Sequence, residues 1–581
     1  MGTGAALLGG GCMHATGDRR AGTAAERPVI LWPASAQLLI GQEAKAPSLA
    51  VTKDQFGLDA WRSVQLPSQP GASLAWNVEV DRAGEYEAYI EFQVTAPDPK
   101  NQSSTTAVGF RLEAGSSAAT GEIYRTEHPY AREMPSFILQ RVGRIRLDAG
   151  RGLLRVGSFT GLDELSVRWG AVCLRPATKG TPDYGSVRRA IDDGREWMAP
   201  DRLGLPGIIG DHMVLQRDAR VPIWGRAQPG AKVRVAFGGQ KKSARADTRG
   251  FWRVRLDPMK AGGPYELVIR AGQETKTFVD VLVGEVWLGI GQSNMTWALS
   301  HTPALGHISD QATQDFVGKG DFPRIRVSSY AHHLVTTNHG GWMPMPEVQT
   351  RYLPALMTCM SILLHREQQV PVGIVVRAYG GVTGSVWMDR PAFENNPDVQ
   401  QGLTRYEKSE YPAQFAQYET ALAAWKEKAA AAKAKGEAEP AKVNPPAPPG
   451  LFWADGGSLD AGYLVPLCPF AVKGIVWDQG ESGTGIPGVS QQAMLAGLVA
   501  GWRDEWGQPA LPVIYIRKDQ YGQGPGFADF TNRLGQVTNC WMVDNEGLSH
   551  ALHPPDKLEY AKRLMSVMTN QVYAVRRVEG R

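Results

Sequence analysis

The sequence predicts a multidomain protein in which two β-sandwich domains precede a larger α/β domain. Three observations predict this fold class. The chain has 581 residues, which is too long for a single hydrophobic core. Its first half contains short stretches of alternating apolar and polar residues separated by Gly, Pro, Asn and Asp, which is typical of sandwich strands. From about residue 282, apolar runs alternate with helical stretches, which is typical of a parallel sheet covered by helices.

Residues 1–26 are predicted to be a leader and linker. A run of small residues ends at Cys12 and is followed by a polar stretch, and this segment resembles the end of a bacterial lipoprotein signal. The resemblance implies a secreted, periplasmic or outer-membrane protein, with Cys12 as a candidate site of lipid attachment. No segment of the sequence approaches the ~20 consecutive apolar residues that a membrane-spanning helix requires.

The next two segments are predicted to be β-sandwiches. Residues 27–178 contain alternating stretches such as SLAWNVEV, EYEAYIEFQV and ELSVRWGAVCLR. Phrases such as VDRAGEYEAYIEF resemble jelly-roll carbohydrate-binding modules, which implies a domain that holds glycan; the alternative is a structural appendage. A polar linker follows at 179–202. Residues 203–281 then show alternating strands with Pro-Gly and Gly-Gly turns, which predict an Ig-like sandwich.

Residues 282–581 are predicted to form the α/β domain. Its strands are the apolar runs VLVGEVWLGI, VPVGIVVRAY, VKGIVW and LPVIYIRKD. Reactive groups in such a sheet collect beyond the carboxyl ends of the strands, and small or polar residues follow the first three runs. A helical and Pro-rich insertion is predicted at 403–450, with a mobile Ala/Lys/Pro-rich tail. Its helix carries an aromatic and aliphatic stripe that is interpreted as a packing face: Phe415, Tyr418, Leu422 and Trp425.

Composition argues against several kinds of function. The chain is 43% hydrophobic and 21% charged, as in a globular protein. Its formal net charge of +4 is spread along the sequence without a basic stripe, so nucleic acid is not an expected partner. The five cysteines are widely spaced and form no CxxC motif, so a structural zinc site is not expected.

The α/β domain carries the groups that acyl transfer requires, which are a nucleophile, a base and an oxyanion hole. Ser293 follows the first strand at a predicted helix start, where free backbone N–H groups can stabilise a tetrahedral oxyanion. Gly381, together with Gly380, follows the second strand and offers another N–H group. Gln479 follows the third strand and offers a side-chain amide. His553 stands just before the last predicted helix and would act as the base.

The chain resembles the sialate O-acetylesterase family, within the SGNH (GDSL-like) hydrolases, over roughly residues 203–575. The matching blocks are HMVLQRDARVPIWGRAQPG, LVGEVWLGIGQSNM, VPVGIVVRAYGGVTGSVWM, SLDAGYL, KGIVWDQGES and HPPDKLEYAKRL. The resemblance implies a flavodoxin-like α/β domain with an added β-sandwich, and a serine esterase that removes O-acetyl groups from carbohydrates without a metal or organic cofactor. By motif, it implies Ser293 as nucleophile and His553 as base, with Ser293, Gly381 and Gln479 at the oxyanion hole.

One position departs from the family pattern. The family has an aspartate three residues before the catalytic histidine, and here that position is His550, which is the wrong partner for an imidazolium N–H group. Glu481 is the first candidate for a substitute acid, although it can equally anchor its own loop by hydrogen bonds. The alternatives are Asp544, Asp478 and Glu546.

Two features of the sequence have alternative interpretations. The departure at His550 favours a rival hypothesis, in which the protein is a glycan-binding or scaffold protein with a catalytically degenerate esterase domain. Arg377 and Arg517 end strands near the expected site and are candidates for binding an acidic sugar; the alternative is a structural role for each. The acetylated sugar and the oligomeric state are not predicted.

Overall fold

A computed structural model describes residues 28–574 of the protein, with internal gaps. The gaps are 41–42, 48, 54–58, 67–71, 96–106, 125–137, 161–165, 178–186, 188–189, 192–194, 196–197, 301–308, 332–333, 336–340, 436, 439, 442, 444, 448, 450–455, 518–536, 545–546 and 549–552. The predicted leader with Cys12, and the positions of Glu546 and His550, therefore lie outside the described residues.

The N-terminal part consists of two six-stranded sheets that share one apolar core. Its strands are β1 (Val29–Leu31), β2 (Gln37–Ile40), β3 (Glu43–Lys45), β4 (Leu49–Lys53), β5 (Asp59–Gln65), β6 (Ala72–Val80), β7 (Gly84–Thr95), β8 (Ala107–Ala114), β9 (Ser117–Tyr124), β10 (Ile138–Leu147), β11 (Gly150–Thr160) and β12 (Ser166–Pro176). One sheet has the order β10-β7-β12-β5-β4, with β1 on β12, and the other has the order β3-β2-β6-β11-β8-β9. Trp76 from the second sheet and Phe92 and Trp169 from the first are buried in this common core. The alternating sequence pattern thus puts one face of each sheet inside.

The middle part leads into the α/β part through one long strand. Its strands are β13 (Val214–Gln216), β14 (Val221–Arg226), β15 (Lys232–Phe237), β16 (Gln240–Arg245), β17 (Phe251–Leu256), β18 (Gly262–Ala271) and β19 (Glu274–Gly291). The first half of β19 pairs antiparallel with β18 and alternates in burial, whereas its second half is continuously buried. The predicted boundary at 281/282 falls inside this strand, at the point where its burial changes from alternating to continuous.

The α/β part extends β19 into a parallel sheet. Its strands are β20 (Ile325–Ala331), β21 (Leu334–Val335), β22 (Met343–Pro344), β23 (Val372–Ala378), β24 (Gly474–Asp478), β25 (Val513–Ile516) and β26 (Cys540–Val543). The parallel order is β20-β23-β19-β24-β25-β26. Trp287 packs into the core on one face of the sheet and Leu288 into the core on the other, as the unbroken apolar runs require.

Helices cover both faces of the parallel sheet. The α-helices are α1 (Ser293–Thr296), α2 (Gln311–Gly318), α3 (Ala355–Gln368), α4 (Arg390–Asn395), α5 (Pro397–Arg405), α6 (Tyr411–Lys435), α7 (Gln491–Glu505) and α8 (Lys557–Val567). Short 3₁₀ segments lie at Pro33–Ser35, Met345–Glu347, Thr350–Tyr352, Gly384–Trp387 and Val465–Leu467, and π-helical turns lie at Tyr406–Glu410, Asp460–Leu464 and Met568–Tyr573. Helices α3 and α8 share one core with the sheet, and α7 belongs to the core on the opposite face. None of the helices in the described part of the chain has the length and apolar character that crossing a bilayer requires.

The predicted insertion contains the long helix α6, most of which is exposed. The rings of Tyr411, Phe415 and Tyr418 follow one another along it at centroid distances of 5.7 and 5.8 Å. The indole N–H of Trp425 donates to the backbone oxygen of Pro440, 2.9 Å away, so the chain that follows the helix folds back on it. The stripe therefore makes its described contacts within the insertion itself.

Three carboxyl groups are buried together in the core of the α/β part. Asp389, Asp460 and Glu505 are at most 5% exposed, and one oxygen from each lies within 4.8 Å of the others. Burial raises the pKa of Asp389 to about 7, and burial together with the neighbouring acids raises the pKa values of Asp460 and Glu505 well above their ordinary range. Among the described residues, these three carboxyl groups have the ligand type and spacing that suit a cation. Their raised pKa values mean that the groups can instead be protonated and neutral.

If these three carboxyl groups are protonated in the folded protein, the free energy of unfolding depends on pH in a predictable way. Because the folded-state pKa values lie above those of the unfolded chain, the folded state binds more protons, and stability falls as pH rises from about 4 through about 7. Replacing Glu505 with Gln should therefore raise the thermal midpoint more at about pH 8 than at about pH 5, as calorimetry would measure. The exposed Glu559→Gln, on α8, is the control. A lower midpoint for Glu505→Gln at about pH 8 would show that the carboxylate form, as in a cation site, is the stabilising one.

Candidate active site

The site lies where three adjacent parallel strands end at the same level. Gly291, the last residue of β19, is in register with Ala378 at the end of β23 and with Asp478 at the end of β24. Gly291 has φ +150°, and a Cβ atom there would lie 2.1 Å from the backbone oxygen of Asp478, so the close approach of the strands requires glycine. The segments that carry Ser293, Gly381 and Gln479 leave the sheet from these three ends.

Ser293 and His553 form the central pair of the site. Ser293 is the first residue of α1, and its Oγ lies 2.8 Å from Nε2 of His553, which is a hydrogen-bond distance. The segment of His553 is held against α2, because the backbone N–H of Asp310 donates to Pro555 and that of Leu558 donates to the Thr313 hydroxyl. Two residues that are 260 positions apart in the sequence are thus brought into the geometry of a nucleophile and its base.

The imidazole of His553 packs on an aromatic ring. The ring centroids of His553 and Trp297 are 5.0 Å apart, with an angle of 36° between the planes. Trp297 is 7% exposed and lies just after α1, the helix that begins with Ser293. Packing of this kind restricts the rotation of the imidazole and excludes water from one of its faces.

The predicted glycine, Gly381, lies at an open position in the segment that follows β23. The backbone N–H of Tyr379 donates to the oxygen of Gly291 over 3.0 Å, which holds the segment after β23 against the segment of Ser293. Gly380 and then Gly381 follow. Gly381 is exposed, has φ +77°, and has no heavy atom within 4 Å of an added Cβ position. A substrate can therefore approach its backbone.

Gln479 is buried under the site with its amide donor already engaged. Its Nε2 donates to Oε1 of Gln292, to the backbone oxygen of Val382 and to that of Gly483, at 3.1 to 3.3 Å. These acceptors lie in the segments that follow β19, β23 and β24. An amide has two hydrogens, and protein oxygens surround both, so in this arrangement Gln479 joins the three segments and does not present a spare N–H to a substrate.

Two of the candidate acids, Glu481 and Asp544, have described contacts with other side chains. Glu481 accepts a hydrogen bond from the amide nitrogen of Asn294, the residue after Ser293. Asp544, about half exposed, pairs with Arg517 over 3.1 Å.

Arg377 is buried and donates to the backbone oxygen and hydroxyl of Ser328, which is a structural role within the sheet.

Sequence reasoning missed three residues of this site, namely Asn294, Trp297 and Lys557. Lys557 is the first residue of α8, is 2% exposed, and donates from Nζ to the side-chain oxygen of Asn294 over 2.7 Å. A lysine in the first turn of a helix is unfavourable for the helix dipole, and that conflict is the one signal in the sequence that another group holds it there. The contacts of Asn294 and Trp297 had no comparable signal.

Comparisons with known proteins found sialate O-acetylesterases and a carbohydrate acetylesterase structure. No family model matches the chain. A rat protein named sialate O-acetylesterase is 28% identical over 418 residues, which is 61% of this chain and 71% of the relative. The human protein of the same name is 26% identical over 315 residues, and the chain spans about half of its length, 52%. The crystal structure of a carbohydrate acetylesterase from Xanthomonas citri is similar with a TM-score of 0.46 and 24% identity, covering 64% of this chain and 76% of that one. The chain is therefore similar to sialate O-acetylesterases, and these relatives support a carboxylic ester hydrolase.

Proposed function

We propose that this protein is a serine esterase that removes O-acetyl groups from carbohydrates, with a flavodoxin-like α/β domain of the SGNH type. The observation that carries the proposal is the 2.8 Å distance between the Ser293 hydroxyl and Nε2 of His553, at the carboxyl edge of the parallel sheet. A serine hydroxyl becomes a strong nucleophile only when a base takes its proton, and this pair provides both groups.

The reaction follows from the positions of the groups. His553 accepts the hydroxyl proton of Ser293 as its Oγ attacks the acetyl carbonyl, and the negative charge moves to the carbonyl oxygen. The backbone N–H groups of Ser293 and Gly381 are our proposed donors to that oxyanion. The sugar oxygen then leaves with the proton from His553, and the acetyl group stays on Ser293. A water molecule, deprotonated by His553, releases acetate and restores the serine.

We propose that Gln479 has a positioning role and is not the oxyanion donor that the sequence predicts. Because its amide already donates to three protein oxygens, we assign it to holding the three site segments together, with the oxyanion charge left to the backbone donors. No acid is assigned to the His553 ring. Trp297 restrains the imidazole from one side, and Glu481 holds the side chain of Asn294, the residue after Ser293.

Acetate release from acetylated glycans tests the function. The full chain should release acetate from at least one of O-acetylated sialic acid, acetylated xylan and acetylated pectin, as measured by coupled acetate assay against heat-inactivated protein. The rival hypothesis, a glycan-binding or scaffold protein with a degenerate esterase domain, predicts glycan binding with no acetate release from these substrates or from p-nitrophenyl acetate. That result would refute the esterase function.

The N-terminal sheets and the leader complete the proposal. We propose that the N-terminal sandwich holds the enzyme on glycan, and that the protein is exported, with Cys12 as a candidate lipid anchor. The full chain should then be retained by an acetylated glycan column even when Ser293 is replaced by Ala. Elution of this variant in the unbound fraction, with its fold intact, would make the sandwich a structural appendage.

A further inference from the structure

We propose that Lys557, Asn294 and Glu481 form a positioning unit, here called the asparagine clamp, that fixes the nucleophile relative to its base. The inference rests on the proposed esterase function, and it assigns roles that the reaction scheme above does not use. None of the three residues needs to touch substrate. Each acts through the segment that carries Ser293 or His553.

The amide of Asn294 is held between opposite charges. Its oxygen accepts from Nζ of Lys557 at 2.7 Å, and its nitrogen donates to the Glu481 carboxylate. An ammonium group can only donate and an ionised carboxylate can only accept, so the amide has one orientation in which both bonds form. The residue directly after the nucleophile is therefore locked against rotation.

Burial makes the loss of either hydrogen bond energetically costly. Asn294 is 1% exposed and Lys557 is 2% exposed, so water cannot replace a lost partner. The Lys557 ammonium also lies 5.5 Å from the ring of Trp297 and 5.6 Å from that of Tyr560, contacts that offset part of its desolvation. A buried charge that loses its partners strongly destabilises the folded protein. We therefore expect the Lys557 ammonium to keep its position beside Asn294.

The clamp joins the two segments that carry the reaction. Lys557 follows His553 by four residues, and Asn294 follows Ser293 by one. The same two segments are therefore linked twice, through the Ser293–His553 contact and through the Lys557–Asn294 hydrogen bond. Trp297 adds a third link, because its ring lies against both the His553 ring and the Lys557 ammonium. Loosening this frame is expected to change the Ser–His distance, and a displacement of about 1 Å can lower a rate by about 100-fold.

The proposal predicts a rescue between two substitutions. In N294D the new carboxylate still accepts from Lys557 but faces the Glu481 carboxylate without a donor, so kcat should fall about 10- to 100-fold with little change in KM. Adding E481Q supplies an amide donor to the new carboxylate, and the double variant should recover to within about 10-fold of the wild type. E481Q alone should have a smaller effect than N294D, because its amide oxygen can still accept from Asn294.

A second pair of variants keeps the test informative if N294D does not fold. Lys557→Met keeps the length of the side chain and suits the two flanking rings, but it removes the donor, so kcat should again fall by about 10- to 100-fold. Lys562→Met is the matched control. It removes the same charge from the same helix at an exposed site paired with Glu559, and it should leave kcat unchanged.

The outcomes separate the clamp from the proposed function. If the wild type releases acetate but N294D and Lys557→Met keep its kcat, the clamp is refuted and the esterase function stands. If E481Q alone is as damaging as N294D and the double variant is not rescued, Glu481 acts on another group and the clamp is likewise refuted. A wild type without acetate release refutes the function itself. Thermal midpoints of all variants identify losses that come from unfolding.

Discussion

Replacing Ser293 with alanine is expected to lower kcat for p-nitrophenyl acetate and for acetylated glycan by about 10⁴-fold or more. The substitution removes the oxygen that attacks the acetyl carbonyl, and no other group in the described contacts of His553 replaces it. Replacing His553 with alanine should have an effect of similar size, since the hydroxyl then has no base. The double variant should be hardly worse than either single one, because the two residues act as a unit.

The measurement is a steady-state rate on each purified variant, with the serine at position 300 as the control. Ser300 lies seven residues further along the chain and its hydroxyl contacts that of Thr350, so Ser300→Ala should keep the wild-type rate. A Ser293→Ala protein that is folded and retains a substantial fraction of the activity would place the nucleophile elsewhere.

Replacing Trp297 with alanine should produce the second largest loss, about 100-fold in kcat. The indole packs 5.0 Å from the His553 ring and restrains its rotation, so its removal frees the imidazole to leave the Ser293 hydroxyl. Trp297→Phe retains an aromatic face and should keep most of the activity. Initial rates per mole of folded enzyme, with Ser293 counted by active-site titration, measure the effect.

A matched control is needed because losing a buried tryptophan also lowers stability by about 3–5 kcal/mol. Trp224 lies in β14, which pairs with β17, and it is only 1% exposed. Its ring packs near that of Phe470. Trp224→Ala should lower the thermal midpoint by a comparable amount and leave kcat per folded molecule nearly unchanged. Equal losses of kcat in the two alanine variants would contradict a specific role for Trp297.

The strand pattern explains why the centre of the site could be predicted from the sequence. Unbroken apolar runs indicate parallel strands buried on both faces, and the carboxyl ends of such strands lie at one edge. Ser293 and Gly381 each follow one of these runs by a few residues, so their placement at the same edge of the sheet follows from topology. His553 could be placed because it stands just before the last predicted helix, which the structure contains as α8.

Contacts that depend on several segments at once could not be predicted in this way. The amide of Gln479 has the right chemistry for an oxyanion donor, and only the positions of Gln292, Val382 and Gly483 show that it is engaged. The family motif gave Glu481 a candidate role behind His553, whereas its described hydrogen bond is with Asn294. In both cases the residue type indicated hydrogen bonding, and the partner was decided by the meeting of distant loops.

The domain boundary shows a similar limit. The change from an alternating to a mostly apolar sequence near residue 282 marks a real change of environment, from an antiparallel edge to a covered parallel sheet. The chain passes through that change without a turn, as the single strand β19. A periodicity that indicates burial cannot by itself show whether the strand has ended.

Covalent labelling with a fluorophosphonate, followed by peptide mass spectrometry, tests the central claim most directly. The reagent forms a phosphorus–oxygen bond with an activated serine hydroxyl and releases fluoride, with the proton passing to the base. We predict one adduct, on Ser293, that is absent in Ser293→Ala and forms at least about 100-fold more slowly in His553→Ala. An acetate-releasing wild type that is labelled at another residue, or a labelling rate that does not change in His553→Ala, would contradict the Ser293–His553 mechanism.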